Sequence, residues 1–208
     1  MTFDPSSAAT AGLVERVKNI LLTPQAEWDK IDAEPADVNK IYMGYVLPLA
    51  VLGAICGFIG MSVFGLNLFG TTYRVPMVTG AVTAVMQVVM GLVGVFVMAF
   101  IANALAPTFG SQQNMGQAHK LAAYGSTAGF LAGVFAIFPP IAMLGIVGLY
   151  SLYLIYVGLP KMMKTPEDKR IGYFLSIIVV AIIAGVILNV LMGLVRGPLG
   201  VGAAPGFG

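Results

Sequence analysis

Charge is what this sequence has least of. Only 10% of its 208 residues are charged and 58% are hydrophobic, where a soluble domain carries about 25% charged residues. The acids are the scarcer sign, and seven of the nine (Asp4, Glu15, Glu27, Asp29, Asp32, Glu34, Asp37) precede residue 40. The other two are Glu167 and Asp168, and no acid lies between Lys40 and Glu167. Pumps, proton relays and intramembrane enzymes are marked by ionisable groups inside their spans, and those groups are missing. Cysteine is nearly absent too. Cys56 stands alone in an apolar run, which excludes a disulfide framework or a cysteine zinc site within one chain. His119 is the sole histidine. With no carboxylate near it, it cannot build a zinc site or a catalytic triad, and its expected place is the interface beside Lys120. Ser126, Thr127, Ser151 and Ser176 have no base in their own spans, so bonds to a neighbouring carbonyl are their simpler role. No catalytic residue, metal or cofactor is therefore expected, and the chain reads as a non-enzyme. A net charge of +2, carried by cations that flank apolar runs, gives no nucleic-acid surface. The N-terminus has Asp4 and Glu15 and no apolar h-region, so no cleaved signal peptide is expected.

Apolar sequence is what the chain has in abundance. Charge-free windows mark five spans, each long enough to cross a bilayer, which takes roughly 20 residues, and the second of them notably longer. They are expected at about 44–66, 77–105, 120–138, 141–158 and 171–195. Pro139-Pro140 divides the third from the fourth, because 40 residues from Leu121 to Pro160 are too many for one crossing. The fold class is all-α: a polytopic integral membrane domain over 41–195, preceded by a polar segment (1–40) and followed by a Gly/Pro-rich tail (196–208) expected to be disordered.

The stretch Gly145–Arg170 organises this reading. Its first half is charge-free and aromatic; Gly158 and Pro160 are expected to end the helix. Lys161, Lys164, Lys169 and Arg170 follow within ten residues. Thr165-Pro166-Glu167-Asp168 then reads as a helix start with Thr165 as N-cap. With the N-terminus inside, nine cations lie on inner segments and two, Arg74 and Arg196, on outer ones. That asymmetry predicts a cytoplasmic N-terminus and an external C-terminus. The basic turn specifies orientation, and the same cations could attract anionic headgroups.

In the first 40 residues, Leu13, Val14, Val17, Ile20 and Leu21 recur at helical spacing. Asp4-Pro5 offers a first cap and Thr23-Pro24 a second. The segment fits an amphipathic helix in the membrane interface anchored by Trp28, and equally a cytosolic helix packed on the bundle's loops. Gly53 with Gly57, and Gly125, Gly129 and Gly133, repeat every four residues, so they are candidate helix-packing positions or a dimer face. Gln87, Asn103 and Asn189 are the uncharged polar residues inside spans. They either bond between helices or line a path for a neutral solute or lipid headgroup. Tyr150 lies deep, about 12 Å from Gly158 at 1.5 Å per residue, and its hydroxyl needs a partner.

Three stretches resemble a known family. Lys120-Leu121-Ala122-Ala123-Tyr124-Gly125-Ser126-Thr127 opens a span and Phe138-Pro139-Pro140 divides a hairpin. Gly148 to Pro160 then leads into Met163-Lys164-Thr165-Pro166-Glu167-Asp168-Lys169. With Arg16 to Pro24 and Glu27-Trp28 upstream, they resemble the prokaryotic branch of the Yip family of Ypt/Rab-interacting membrane proteins. The resemblance implies five spans and a cytosolic N-terminus. The chain departs from eukaryotic relatives in its short N-terminal region, which lacks an Asp-Leu-Tyr-Gly-Pro-like motif, and in Ala128 where many place proline. A Rab-type GTPase is therefore not carried over as partner. The expected function is a membrane adaptor or organiser whose cytosolic face (Trp28, Lys161, Lys164, Lys169, Arg170) engages lipids, a protein partner or a second copy. A transporter or lipid-translocating protein is the alternative.

Overall fold

The computed structural model describes residues 5–68 and 71–196. Asp4 and the tail beyond Arg196 lie outside the described residues, so the first expected cap and the expected disorder have no structural counterpart here. Five helices are long and apolar enough to cross a membrane, and the protein is an all-α, multi-pass membrane protein. Two shorter helices precede them: α1 (Pro5–Leu22) and α2 (Pro24–Ala33). The spanning helices are α3 (Val38–Phe64), α4 (Met77–Phe109), α5 (Met115–Ile137), α6 (Pro139–Met162) and α7 (Arg170–Arg196), the last entered through a 3-10 turn at Glu167–Lys169. A small antiparallel hairpin, β1 (Leu66–Leu68) and β2 (Thr71–Tyr73), joins α3 to α4 with Leu66 opposite Tyr73.

Several helices are not regular. α3 holds π-helical turns at Tyr42–Val46 and Ile59–Phe64. It stops at Gly65, whose φ of 74° only glycine adopts at little steric cost. α5 pauses at Ser126 and tightens into a 3-10 turn from Gly133, and α6 begins as a 3-10 segment over Pro139–Leu149.

The end of α6 corrects the sequence reading. Gly158 and Pro160 do not stop the helix, which continues to Met162 with Pro160 inside it. Proline has no N–H to give the carbonyl four residues back. That carbonyl, Tyr156 O, instead accepts a hydrogen bond from Arg170 Nε at 3.0 Å. Thr165 is not an N-cap either. Its hydroxyl donates to Leu159 O at 3.2 Å and accepts from Ser111 Oγ at 3.0 Å, and Pro166 precedes the 3-10 turn. Lys164 takes a left-handed φ of 49° between these two contacts. Its neighbour Met163 is fixed by Gln112 N–H donating to its carbonyl at 2.8 Å. The turn is thus over-determined on both sides, as a non-glycine residue in that conformation requires.

The continuous core sits at one end of the bundle. It gathers Ile20, Trp28 and Ile31 with Tyr45, Ala99, Leu121, Leu154, Met162, Tyr173 and their neighbours. We call this the charged end, because α1–α2, Lys120 and the α6–α7 turn all meet there. The far end carries β1–β2 and the Phe138–Pro140 corner, where Phe64 and Phe138 meet edge to face. There the packing depends on small residues. A Cβ on Gly133 would lie 3.3 Å from Gly53 Cα, and one on Gly148 3.4 Å from Gly129 Cα. Without a hydrophobic drive in lipid, such close backbone approach supplies the contact. The Gly125, Gly129, Gly133 series does not form one face. Gly125 and Gly129 meet Ile155 and Ser151 of α6, while Gly133 meets Gly53 of α3. The interruption at Ser126 and the change of pitch at Gly133 redirect the stripe. Gly57 faces Gln87 of α4.

Candidate functional site

The charged end is built by folding α1 and α2 back on each other against the bundle. Thr23 and Pro24 make the turn, with proline at the first position of α2, where a missing N–H costs nothing. Thr23 occupies the cap position, but its hydroxyl donates backwards to Asn19 O at 3.1 Å and does not cap α2. One face of α2 then descends onto α6. Trp28 is fully buried, and its Nε1–H donates to Leu154 O at 3.1 Å. The expectation of Trp28 as an interfacial or partner-facing anchor is corrected: its indole is core, edge-on to Tyr124 at 6.5 Å. Indole buried beside an acceptor needs neither water nor lipid headgroup.

Beneath the α1–α2 pair lies a cluster of charge. Arg16 of α1 donates to Glu27 Oε1 at 2.7 Å and pairs with Glu34, and its guanidinium lies 5.6 Å from the centre of the Tyr124 ring. Burial on its own lowers the pKa of this guanidinium. The Glu34 hydrogen bond and charge, helped by Glu27, more than reverse that, and the net value stands above the ordinary one. Lys30 reaches Glu27 Oε2 at 3.3 Å from the exposed side. Lys120 is only 1% exposed, at the entry to α5. Its ammonium donates to Ile31 O at 2.8 Å and to Glu34 O. Those carbonyls end α2, so a cation there satisfies orphan acceptors and complements the helix dipole.

A second tier of polar contacts ties the spans together below this cluster. Thr127 Oγ1 donates to Tyr124 O at 2.6 Å, so the Tyr45 hydroxyl, 2.7 Å away, donates to Thr127. Tyr42 Oη and His119 Nδ1 are 3.0 Å apart. His119 is therefore a buried member of this network and not a surface group. Gln117 Nε2 donates to Asp32 Oδ1 at 3.1 Å.

The basic turn is rearranged by its neighbours. Lys161 pairs with Asp29, and Lys164 with Asp32 at 2.6 Å, both acids belonging to α2. Arg170 is folded over the Tyr156 ring, 3.9 Å from its centre, and reaches Glu167 at 3.3 Å. Lys169 is exposed. As a free basic surface for headgroups, the expected set is thus corrected: Lys161 and Lys164 are half-exposed but ion-paired, and Arg170 is a structural brace. Sequence reading missed Arg16, Glu27, Glu34 and Lys120 as a unit. One signal was present. Glu27, Ile31 and Glu34 are spaced four and three apart, placing two acids on the face that also carries an apolar residue. Carboxylates on a buried face require cations, and these come from other elements.

The intramembrane polar residues are not brought together. Gln87 lines an open cavity of about 500 Å³ with Ser126, Ser151, Gly53, Gly129 and Gly133. Gly129 N–H donates to Ser151 Oγ at 2.8 Å there. Asn189 lines a separate shallow depression on α7 with Ile182 and Val186. Asn103 lies sixteen residues beyond Gln87 on α4, about 24 Å along a regular helix. Its Oδ1 is buried without a protein partner, while its carbonyl accepts from Gln113 Nε2 at 3.3 Å. Tyr150 finds the partner its depth demands, donating from Oη to Leu21 O at 3.0 Å. Among the described residues, no group of three or more His, Cys, Asp or Glu side chains could hold a metal ion.

Comparisons with known proteins agree with this architecture. The chain is 27% identical over 176 residues to the inner membrane protein YohC of Escherichia coli K12, covering 82% of this chain and 89% of the relative. The same figures hold for YohC of Escherichia coli O6:H1. No solved structure gives a significant match. The Yip1 domain profile matches residues 18–188, which runs from the end of α1 through about two thirds of α7. On that match, across the charged end and all five spans, the chain belongs to the Yip1 domain family.

Proposed function

We propose that this protein is a non-enzymatic adaptor or organiser of the cytoplasmic (inner) membrane, with its charged end in the cytoplasm and its C-terminus outside. The cation asymmetry supports that orientation, and the inner-membrane name of its Escherichia coli relatives supports the location. The observation that carries the reading is the pairing of Asp29 and Asp32 with Lys161 and Lys164. These pairs fuse α2 and the α6–α7 turn into one composite surface on which acids and bases alternate. Uniformly anionic headgroups favour a surface of one sign. Alternating charge favours a protein with the complementary pattern. A Rab-type GTPase is not proposed as that partner.

In-cell photo-crosslinking tests this from positions 30 and 164. Lys30 serves as a probe position because its side chain is 63% exposed, whereas the neighbouring Trp28 is buried. The adaptor reading expects one specific foreign protein from both positions. Capture of lipid alone removes it, and capture of a second copy turns the surface into a self-association face.

A second reading, transport or lipid translocation, rests on the cavity with Gln87, Ser126 and Ser151. Asn103 and Asn189 lie away from it, which leaves a local polar spot and no chain of them. Reconstituted lipid-scrambling and solute-flux assays should match protein-free vesicles. Flux above that background that is lost on Gln87→Leu would install the transport reading instead.

A further inference from the structure

The depth of the α1–α2 turn has a consequence for the membrane itself. Leu21 O, one residue before the end of α1, accepts the Tyr150 hydroxyl. Tyr150 stands eight residues before Gly158 and twelve before Met162, about 12 and 18 Å along α6 at helical rise. The hydrocarbon core of a bilayer is about 30 Å thick. The turn therefore lies near the middle of the bundle's membrane-crossing length, and α2 climbs back beside α6. Trp28 meets Leu154, then Asp29 meets Lys161 and Asp32 meets Lys164.

The composition of the turn suits that depth. From Asn19 to Ala26 there is no charged residue. Leu22 is 70% exposed, pointing away from the protein at its tip. Backbone groups inside hydrocarbon must be satisfied internally. Here Thr23 N–H donates to Asn19 O at 2.8 Å, Glu27 N–H to Thr23 O at 3.0 Å, and Pro24 has no N–H to satisfy, which leaves the N–H groups of Gln25 and Ala26 uncapped at the start of α2. Beside the tip is an apolar cavity of about 510 Å³ lined by Leu21, Ala128, Leu131, Phe135, Val147 and Tyr150. Its single polar side chain, Tyr150, already spends its proton on Leu21 O. The lining leaves no donor for a polar ligand. The exposed Lys18 lies one turn nearer the charged end, where its long stem reaches the interface.

We propose that α1–α2 is a re-entrant hairpin inserted in the leaflet at the charged end, with Leu22 and the cavity beside it in contact with phospholipid acyl chains. It is thus a membrane-embedded element and not a cytosolic appendage. The inference goes beyond the adaptor reading and concerns depth alone. Loss of the protein-partner reading would not move its test.

The first test uses the unmodified full chain in phosphatidylethanolamine/phosphatidylglycerol vesicles. A phospholipid with a photoreactive group near its chain terminus is activated and the adducts are mapped by peptide mass spectrometry. Adducts within Asn19–Ala26 are expected; adducts confined to the five spanning helices overturn the proposal. The second test places a fluorophore at Leu22→Cys or Ala33→Cys in a Cys56→Ser background. Leu22→Cys should emit blue-shifted light and be quenched by mid-chain spin-labelled lipid, whereas Ala33→Cys should be quenched by aqueous iodide. Iodide quenching of Leu22→Cys, without quenching by the lipid, overturns it.

Discussion

The two ends of this bundle are held together by different chemistry. At the charged end, a tryptophan, five ion-pairing or capping charges and a tyrosine–threonine relay pack into a continuous core. At the far end, the 3-10 segments Gly133–Ile137 and Pro139–Leu149 contain no buried residue at all. Contact there is made by glycines brought within van der Waals distance. The contrast follows from what each end excludes. The charged end buries polar groups and satisfies most of them through specific partners, which leaves few alternative arrangements. Apart from polar residues such as Ser62 and the hairpin's Asn67, Thr71 and Thr72, the far end has apolar surface, which lipid solvates as well as protein does, so little compels it to close. Specificity in this protein is concentrated where its charges are.

The largest expected effect comes from removing the ring on which the charged end closes. Trp28→Ala takes away a fully buried indole and leaves a cavity between α2, α5 and α6. Truncation of a buried tryptophan costs about 3–5 kcal/mol. At roughly 2–4 °C per kcal/mol for a chain of this size, the apparent midpoint of thermal unfolding in detergent should fall by about 6–20 °C. A smaller drop than from an exposed far-end residue would break the comparison.

Arg16→Leu comes next. It strands Glu27, whose side chain is 3% exposed, and releases Glu34. Leaving one partner of a buried pair costs about 3–5 kcal/mol. Arg16 is itself part-exposed and Lys30 remains near Glu27, so the lower end, about 3 kcal/mol, is expected. Limited proteolysis sharpens this: cleavage within 1–40 should rise while the five spans stay protected. Double replacement, Arg16→Leu with Glu27→Leu, should recover much of the loss, since an apolar pair of similar volume is often neutral.

Lys161→Gln should do much less to stability. The Lys161–Asp29 pair is about half exposed on both sides. Such pairs contribute under about 1 kcal/mol, and less as salt rises. A shift in thermal midpoint of more than a few degrees, insensitive to salt, would mean that this clamp belongs with the buried cluster.

How much of this was readable follows the same division. The five spans were legible because hydrocarbon thickness imposes a length and charge is excluded from it, so counting sufficed. The cations flanking those spans were equally visible. What was not legible was where those cations go. Lys161 and Lys164 read as free because their partners, Asp29 and Asp32, lie about 130 residues away in the chain. Trp28 read as a surface anchor because only Leu154 O, on a helix 126 residues later, gives its N–H a buried acceptor. The end of α6 was misplaced for a similar reason. Pro160 frees Tyr156 O, a local rule, but Arg170 restores the bond from the next helix. Residue type announces that a partner is required; only the tertiary fold supplies its name.

The smallest effect tests the far end. Met143 is 81% exposed in the 3-10 segment of α6 and makes no part of the core. Met143→Ala removes a long apolar side chain that faces lipid in a membrane and detergent in a micelle. Its loss leaves no cavity in the protein, and substitutions outside buried features usually change stability by within about 0.5 kcal/mol. The thermal midpoint should therefore stay within about 2 °C of the parent. The same substitution in bilayers carries the sharper information. If packing at this end is set by the lipid and not by the protein, the midpoint should remain unchanged in thin and thick bilayers alike. A clear loss in both detergent and bilayer would place Met143 against protein, in a second copy seated on α6. The looseness of the far end would then belong to the isolated chain and not to its assembled form.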